Sequence, residues 1–251
     1  MASIDLNADV GESFGDWRSD DAALLRSVTS ASIACGGHCG DESTMRRTVD
    51  LAMDNRVTIG AHVSYADREG FGRRAVDVAP DELADLVSEQ VAALQAVATA
   101  AGSGVRYVKP HGALYNTAAR DTAQAGAVVR AVLRCDPSLA VVALPGGELA
   151  RLAARAGLRV VGEAFLDRAY RDDGTLVPRT EPGAVLHDDR EIADRAVSLA
   201  LEGRVRAQTG AELDIDAATL CLHGDTDGAA GLLAAVRTAL VESGVELRAF
   251  A

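Results

Sequence analysis

Four of the five histidines share a setting that favours chemistry over a purely structural role. Each follows a short apolar run and stands beside glycine or alanine: His38 in ACGGHCGD, His62 in GAHVSY, His111 in KPHGALY and His223 in CLHGDT. An imidazole can exchange a proton near neutral pH or bind a metal ion, and an adjacent glycine lets a ligand approach closely. The pattern predicts that these four histidines belong to one site, whereas His187, beside two aspartates, is expected on the surface.

Lys109 is the only lysine among the 25 Lys and Arg residues of the chain. It lies between Val108 and Pro110 at the end of an apolar run, which is an unusual place for a solvent-exposed lysine. An ammonium is a compact cation whose pKa burial can lower, while a guanidinium stays charged. The position therefore needs either adjustable basicity or a small cation at short range. A Lys109→Met protein is expected to fold but to lose turnover.

Acidic and cationic side chains gather after the same apolar runs. NADVGES follows the first run, DREGFGRR the third, and EAFLDRAY and CLHGDT belong to the last two. Carboxylates can activate water, and arginines can hold a carboxylate or phosphate through paired hydrogen bonds. Besides the four histidines and Lys109, the candidate site residues are Asn7, Asp9, Glu12, Arg68, Arg73, Glu163 and Asp225.

Seven short β-branched or apolar segments alternate with longer Ala- and Leu-rich segments. Such alternation predicts a mainly parallel sheet with helices packed outside it. The predicted strands are Ser3–Asn7, Ser32–Cys35, Thr58–Ala61, Arg106–Lys109, Ala140–Leu144, Arg159–Glu163 and Thr219–His223. The predicted helices are Glu42–Asn55, Asp81–Ala101, Asp121–Arg134, Gly147–Ala156, Asp188–Glu202 and Gly228–Ser243. Asp41 is expected to cap the first of these helices.

This alternation also predicts where the candidate residues meet. The carboxyl ends of parallel strands lie on one face of a barrel or open sheet, and sites are built on that face. No linker marks a boundary, so a single domain over residues 1–251 is predicted. The sequence has neither GxGxxG after the first strand nor GxxxxGK followed by Ser or Thr, which argues against the two commonest nucleotide folds. Residues 167–187 are too polar for a helix and are predicted to form a long functional loop.

Composition excludes further classes of protein. The formal net charge is -12, and the sequence lacks the basic stripe of a nucleic-acid binder. No apolar run reaches the roughly 18 residues of a membrane-spanning helix, and the N-terminus has no secretory pattern, so a cytoplasmic protein is expected. Cys35 and Cys39 flank a histidine, but a structural zinc site needs four ligands, and buried thiols are the better interpretation.

Six motifs, in their order along the chain, resemble the LamB/YcsF family. They are DLNADVGES, SIACGGHCGD, GAHVSYADREGFGRR, VKPHGALYN, EAFLDRAYRDDGTLVPR and CLHGDT. The resemblance extends from residue 5 to about residue 228 and implies a seven-stranded parallel β/α barrel of the glycoside hydrolase/deacetylase type. Two departures, Val63 where proline is expected and Cys39 where a smaller residue is usual, concern loop geometry and remove no proposed chemical group.

The resemblance also implies an activity. Members of the family act as the A subunit of the bacterial ATP-dependent 5-oxoprolinase, which opens the lactam of 5-oxo-L-proline to L-glutamate. Two partners, the B and C subunits, would handle ATP and activate the lactam by phosphorylation, in agreement with the missing phosphate loop. Arg68 or Arg73 would hold the substrate carboxylate, and His223 and Asp225 would supply supporting contacts.

Ring opening requires an activated water, stabilisation of an oxyanion and protonation of the leaving nitrogen. The hypothesis assigns water activation to Asp9 with either His38 or His62. Lys109 and His111 would stabilise the developing charge and deliver the proton.

Two alternatives from other classes stay open. Asp9, His38 and either His62 or His111 could form an Asp-His-His metal site with an open position. Such a site would suit a stand-alone metal-dependent deacetylase or amidohydrolase on the same barrel, which would need no ATP. The second alternative is a non-catalytic subunit that presents a ligand to a partner, although so many titratable groups on one face argue against it.

Overall fold

The computed structural model describes residues 2–13, 19–226 and 228–251. Its strands are β1 (Ser3–Val10), β2 (Ser30–Ala34), β3 (Thr58–Val63), β4 (Tyr107–Pro110), β5 (Ala140–Ala143), β6 (Val160–Phe165), β7 (Arg204–Arg206), β8 (Glu212–Asp214), β9 (Thr219–Leu222) and β10 (Glu246–Leu247). Strands β1 to β6 and β9 pair in parallel, and β9 pairs with both β6 and β1. The sheet therefore closes into a barrel of seven strands, and the predicted fold class and all seven predicted strands are confirmed.

Helices surround this barrel in the described part of the chain. They are α1 (Asp21–Leu25), α2 (Glu42–Asp54), α3 (Pro80–Ala100), α4 (Gly112–Ala118), α5 (Thr122–Cys135), α6 (Glu148–Arg155), α7 (Asp189–Glu202) and α8 (Ala229–Glu242). The six predicted helices are confirmed, and Asp41 caps α2 by accepting a hydrogen bond from the Thr44 amide at 2.8 Å. Among these helices none has the length and apolar character that crossing a membrane requires.

The strands of the barrel carry polar side chains inward and apolar side chains outward. In β1, Leu6 belongs to the core between sheet and helices, while Asn7 donates to Glu163 Oε1 and Thr219 Oγ1 across the barrel at 3.1 and 2.7 Å. Successive side chains of a strand point to opposite faces, so Asp9 also points into the barrel. The upper interior is therefore a hydrogen-bonded polar layer, as a buried polar layer must be.

The opposite, amino-terminal end of the barrel is filled by apolar side chains. Tyr107 packs with residues of β5 and β6, and the ring of Phe250 lies 5.1 Å from the Tyr107 ring. Gly60 on the neighbouring strand makes room, because a Cβ there would lie 2.1 Å from ring atoms of Tyr107. The chemistry-bearing residues are thus confined to the carboxyl ends of the strands.

The loop over residues 167–187 is irregular, as predicted, and it is held in place by a buried arginine. Arg168 donates from Nε to the Ala184 carbonyl at 3.2 Å and from Nη2 to the Val177 carbonyl at 2.5 Å. Tyr170 accepts a hydrogen bond from the Phe165 amide at 2.7 Å. These contacts fold the loop back over the carboxyl ends of the strands.

The amino terminus of α7 offers a test of local stability that leaves the site untouched. Asp188 accepts hydrogen bonds from the amides of Arg190 and Glu191 at 3.0 and 2.9 Å. Losing such a cap costs about 1 kcal/mol, which corresponds to a fall of roughly 2–4 °C in melting temperature for a chain of this size. We expect this fall for Asp188→Ala in thermal unfolding, with turnover unchanged. An unchanged melting temperature would show that the cap contributes nothing.

Candidate active site

A cavity of about 830 Å³ opens at the carboxyl ends of the barrel strands. Asp9, His62 and Lys109 form its floor, and His111 and His223 stand where β4 and β9 end. One wall comes from α4, including Tyr115, and the other from the loop over residues 167–187. Residues up to 214 positions apart meet here because parallel strands deliver their carboxyl ends to one face.

Lys109 lies at the centre of the floor and is almost completely buried. Its Nζ is 2.8 Å from Asp9 Oδ1 and 2.8 Å from Glu163 Oε1. Asn7 Oδ1 at 3.3 Å and Cys221 Sγ at 3.2 Å complete its surroundings. One ammonium therefore links two carboxylates that come from opposite sides of the barrel.

These contacts fix the charges of the floor. Burial by itself would lower the pKa of Lys109, but the charges of Asp9 and Glu163 raise it well above its usual value. Burial would likewise raise the pKa of Asp9, yet His62 and Lys109 hold it well below its usual range. The structure therefore favours the small cation of the two sequence-based explanations for a lysine here, because a lysine with raised pKa supplies no adjustable basicity at neutral pH.

The same geometry explains the choice of lysine over arginine. A compact ammonium can approach several acceptors within about 3 Å, while a guanidinium is a wide planar fork. The expectation that Lys109→Met folds normally needs correction, since the substitution would leave Asp9 and Glu163 buried without their cation.

Three histidines and a glutamate form a second cluster beside the floor. Glu12 Oε1 lies 2.9 Å from His38 Nε2, 3.3 Å from His111 Nδ1 and 3.7 Å from His62 Nε2. The rings of His38 and His111 are stacked with centroids 3.8 Å apart, and His62 Nε2 is 3.0 Å from His111 Nδ1. We call Glu12, His38, His62 and His111 the histidine cluster.

Burial shapes the charges of this cluster as well. It lowers the pKa of His38 to about 3, and the neighbouring His111 lowers it further, so the His38 imidazole is neutral at pH 7. Burial also lowers the pKa of His111. Burial alone would raise the pKa of Glu12, but its hydrogen bonds with His111 and His38 keep it well below its usual range, and Glu12 is ionised.

His223 is held by a buried carboxylate on the far side of the cavity. Its Nδ1 lies 2.8 and 3.0 Å from the two carboxylate oxygens of Asp167, and the ring stacks on Phe165 with centroids 5.2 Å apart. Thr226 donates to Asp167 at 2.8 Å. Burial would raise the pKa of Asp167, but His223 and these hydrogen bonds lower it to about 2. The pair fixes the imidazole so that its Nε2 side belongs to the cavity.

Positive charge is concentrated around the cavity although the chain carries a net charge of -12. The cationic lining residues are Arg73, Lys109, Arg120, Arg168 and Arg179, and the acidic lining residues are Asp9 and Asp121. Arg73 pairs with Asp225, and Arg179 Nη2 lies 3.8 Å from the same carboxylate. A cavity with this excess of cations attracts an anionic ligand.

Known proteins share this fold and chain. The LamB/YcsF family profile matches residues 4–251. The chain belongs to the LamB/YcsF family. A protein of Streptomyces avermitilis, named as the A subunit of 5-oxoprolinase, is 55% identical over 249 residues, which cover 99% of this chain and 100% of that protein. The lactam utilization protein of Thermus thermophilus is 44% identical with a TM-score of 0.93, covering 99% of this chain and 100% of that one.

A more distant structure shares only the barrel. The family 4 carbohydrate esterase from Streptomyces lividans is 11% identical with a TM-score of 0.53, covering 100% of this chain and 93% of that chain. The LamB/YcsF barrel is therefore of the type found in deacetylases.

The structure brings some of the sequence-predicted residues to the cavity surface and places others behind it. Asp9, His62, Arg73, Lys109, His111 and His223 line the cavity. Asn7, Glu12, His38 and Glu163 are buried behind the lining, where they contact other site residues. Direct substrate contact by this second group is therefore replaced by a supporting role.

Arg68 and Asp225 also differ from their predicted roles in the LamB/YcsF site. Arg68 Nη1 donates to the carbonyls of Gly36 and Gly40, both at 2.9 Å, and so holds the loop after β2 away from the cavity. Asp225 is paired with Arg73 and faces the arginines of the rim. Of the two arginines in DREGFGRR that were proposed as an anion clamp, the structure therefore places only Arg73 at the cavity.

Several LamB/YcsF residues at the site carried no clear signal in the sequence. Asp167 and Arg179 lie in the long loop, whose folded path decides which of its many charges face inward. Tyr115 lies on α4, a seven-residue helix that was not predicted. The remaining sequence expectations agree with the structure, because Cys35 and Cys39 are buried free thiols and His187 is exposed.

Proposed function

We propose that this chain is the ring-opening component, the A subunit, of a 5-oxoprolinase. It would convert 5-oxo-L-proline to L-glutamate with ATP hydrolysis. The observation that carries the proposal is the cationic cavity over the Asp9–Lys109 floor, in a chain 55% identical along its whole length to a protein named as this 5-oxoprolinase component. Such a site suits a small anionic amide, and the name supplies the identity of that amide.

The cavity matches the chemical parts of the proposed substrate. 5-Oxo-L-proline is a five-membered ring that carries an amide and a carboxylate. Phe165, Tyr115 and Leu176 give the cavity apolar walls for the ring. Arg73 and Arg179 at the rim supply guanidinium groups for the carboxylate. With the carboxylate at the rim, the amide points toward Asp9 and Lys109.

Ring opening adds one water to the amide. The water oxygen forms a bond to the ring carbonyl carbon, the carbon–nitrogen bond breaks, and the nitrogen gains a proton. The products are the side-chain carboxylate and the amino group of glutamate. Phosphorylation of the amide oxygen by a partner would turn that oxygen into a better leaving group and draw electrons from the carbon.

The lining residues can divide this work. Asp9 accepts the proton of the attacking water with His62 beside it, 3.3 Å from Asp9 Oδ2. Lys109 keeps Asp9 ionised and oriented through its 2.8 Å contact. His223, fixed by Asp167, delivers a proton to the leaving nitrogen. His111 stands between the histidine cluster and the cavity and stabilises charge that develops on the amide oxygen.

ATP would be used by the complex and not by this barrel. The chain has no phosphate loop, and the word subunit in the name of its relative implies an assembly of several chains. The B and C subunits would bind ATP and activate the lactam, and this chain would complete the reaction. A cytoplasmic location would place the complex beside its ATP.

Arg179 offers a test of the carboxylate contact. A charge-assisted hydrogen bond contributes about 1.5–3 kcal/mol, and 1.4 kcal/mol corresponds to a factor of ten. Arg179→Ala is therefore expected to raise the KM for 5-oxo-L-proline about 10- to 100-fold, with a smaller change in kcat. Arg171→Ala is the matched control, because Arg171 pairs with Glu181 outside the cavity. If Arg179→Ala and Arg73→Ala both leave KM unchanged, the substrate carboxylate does not bind at this rim.

The experiment that tests the function compares three reactions. The first is glutamate release from 5-oxo-L-proline with ATP and the partner subunits, with and without this chain. The second is hydrolysis of N-acetyl sugars and simple amides by the chain alone with added divalent metal. The third is binding of 5-oxo-L-proline to the chain alone. Glutamate that depends on this chain supports the proposal, hydrolysis in the second reaction without ATP supports a deacetylase, and binding alone supports a ligand-presenting subunit.

A further inference from the structure

Two histidines of the histidine cluster have one ring nitrogen committed to a backbone carbonyl. His62 Nδ1 lies 3.1 Å from the Lys109 carbonyl, and His111 Nε2 lies 2.9 Å from the Phe71 carbonyl. A carbonyl oxygen can only accept, so each of these nitrogens carries the hydrogen. In the neutral ring the other nitrogen is then unprotonated. His62 therefore presents the lone pair of Nε2, and His111 the lone pair of Nδ1, to the centre of the cluster.

His38 is oriented in the same way through a hydroxyl. Ser64 Oγ donates to the Tyr65 carbonyl at 2.9 Å, and this uses its single hydrogen. The hydroxyl must therefore accept from His38 Nδ1, which is 3.0 Å away. Gln90 holds the backbone of Ser64 from both sides, accepting from its amide at 2.9 Å and donating to its carbonyl at 2.8 Å. His38 Nε2 is left as a lone pair directed at Glu12.

The backbone around the cluster is shaped to make these contacts. Phe71 has a φ of 53°, which is uncommon for a residue with a side chain, and its carbonyl faces His111 in this conformation. Gly72 follows with a φ of 63°, and a Cβ there would lie 2.8 Å from His38 Cβ and 2.9 Å from His111 Cδ2. Uncommon backbone conformations of this kind collect at functional sites because the surrounding structure must hold them.

Acceptors therefore converge on the centre of the cluster from every side. The two histidine nitrogens, His62 Nε2 and His111 Nδ1, are only 3.0 Å apart, and Glu12 Oε1 lies 2.9 to 3.7 Å from the three imidazoles. All four ligand atoms lie within 4.8 Å of one another. Unprotonated nitrogens and a carboxylate at these separations repel one another unless a cation lies between them.

The spacing is that of a metal coordination shell. Ligand atoms that surround a zinc ion tetrahedrally at about 2.0–2.1 Å are roughly 3.3 Å from one another. Histidines that bind metals also characteristically donate their second ring nitrogen to a carbonyl or another acceptor, which fixes the tautomer. His38, His62 and His111 all satisfy this condition. Imidazole is a preferred ligand of divalent ions of the first transition series.

We propose that Glu12, His38, His62 and His111 bind one divalent first-row transition-metal ion, of which Zn²⁺ is the probe. The ligand set differs from the Asp-His-His set considered from sequence, because Glu12 takes the carboxylate position and all three histidines take part. His62 and His111 line the cavity while Glu12 and His38 lie behind them. A coordination position directed at the cavity would therefore be open to water or to a substrate oxygen.

The first experiment measures metal directly, independently of any activity. The full chain without a histidine tag is treated with a chelator, returned to buffer, and titrated with Zn²⁺ by calorimetry, with bound metal counted by mass spectrometry. One equivalent per chain is expected. Glu12→Gln, His38→Gln and His62→Gln should each lower the affinity at least about a hundredfold, while His187→Gln, an exposed histidine outside the cluster, should keep it. Circular dichroism verifies that each variant is folded.

A second variant tests the orientation of the ligands. Ser64→Ala removes the acceptor of His38 but no ligand, and it should lower the affinity for Zn²⁺ about 10- to 100-fold while the stoichiometry stays at one. Binding of less than a tenth of an equivalent to the unaltered chain at micromolar Zn²⁺ would overturn the proposal. So would unchanged affinity in the three folded ligand variants. Because neither readout uses substrate or ATP, failure here is separate from failure of the proposed 5-oxoprolinase function.

Discussion

Lys109→Met is expected to abolish turnover and to destabilise the barrel at the same time. Lys109 Nζ lies 2.8 Å from both Asp9 and Glu163, and all three groups are buried. Removing one partner of a buried ion pair leaves an uncompensated charge and costs about 3–5 kcal/mol. Loss of the charge that orients Asp9 should lower kcat roughly 10³-fold. Chemical denaturation and glutamate release measure the two effects.

A double variant separates the two consequences. In Lys109→Met with Glu163→Gln, the second substitution removes one of the two carboxylates left without their cation, so part of the lost stability should return. Turnover should stay low, because Asp9 still lacks its 2.8 Å partner. Lys109→Arg should also be poorly active, since a guanidinium is too wide for the space between these carboxylates. A double variant with kcat within tenfold of the unaltered protein would remove Lys109 from the mechanism.

Asp9→Asn is expected to lower kcat roughly 10³-fold with little effect on folding. The asparagine keeps the size of the side chain but removes the charge that accepts a proton from water. Lys109 retains Glu163 as a partner, so no cation is left alone in the barrel. The contrast with Lys109→Met is diagnostic, because both changes break the same ion pair and only one of them should destabilise the fold strongly. Parallel denaturation curves and reconstituted rates give the comparison.

Asp5→Asn is the matched control for this prediction. Asp5 lies on the same strand and also points into the barrel, but it accepts from Thr29 at 2.6 Å and Ser30 at 2.7 Å and does not line the cavity. The same isosteric change should therefore reduce stability while turnover stays within a few-fold. If Asp5→Asn and Asp9→Asn reduce kcat equally, the loss reflects damage to the barrel and not chemistry at Asp9.

Much of the fold could be predicted from the sequence because its elements carry their own signals. The seven barrel strands are β-branched or apolar runs, and the six long helices are rich in alanine and leucine with acidic residues near their starts. The hairpin of β7 and β8 was missed because its strands, RVR and ELD, are three residues long and mostly charged. Helix α4 was missed because it follows KPH directly and has no side-chain cap.

The site could be located from sequence but not assembled from it. Strand ends are local features, so the face that carries His62, Lys109 and His223 followed from the alternation of elements. Which side chain touches which depends on the radius of the barrel and on loop paths, which no local pattern records. Glu12 illustrates the difference, because it stands only two residues beyond β1 and yet reaches back among three histidines.

The arginines show the same limit more sharply. Arg68 and Arg73 are five residues apart in one glycine-containing loop, and they were equivalent candidates for anion binding. The structure uses Arg68 to hold two carbonyls of the β2 loop and leaves Arg73 at the rim. Arg179, which shares Asp225 with Arg73, comes from a loop more than 100 positions further along the chain.

The measurement that tests the proposed function most directly is glutamate release from 5-oxo-L-proline and ATP by the partner subunits, completed with the unaltered chain, with the Asp9→Asn chain, or with none. Assembly is measured in the same samples, so that equal amounts of complex are compared. We predict rapid glutamate release only with the unaltered chain, and a rate roughly 10³-fold lower with an assembled Asp9→Asn chain. Equal release with the unaltered and Asp9→Asn chains, or release without any chain, would contradict ring opening in this cavity.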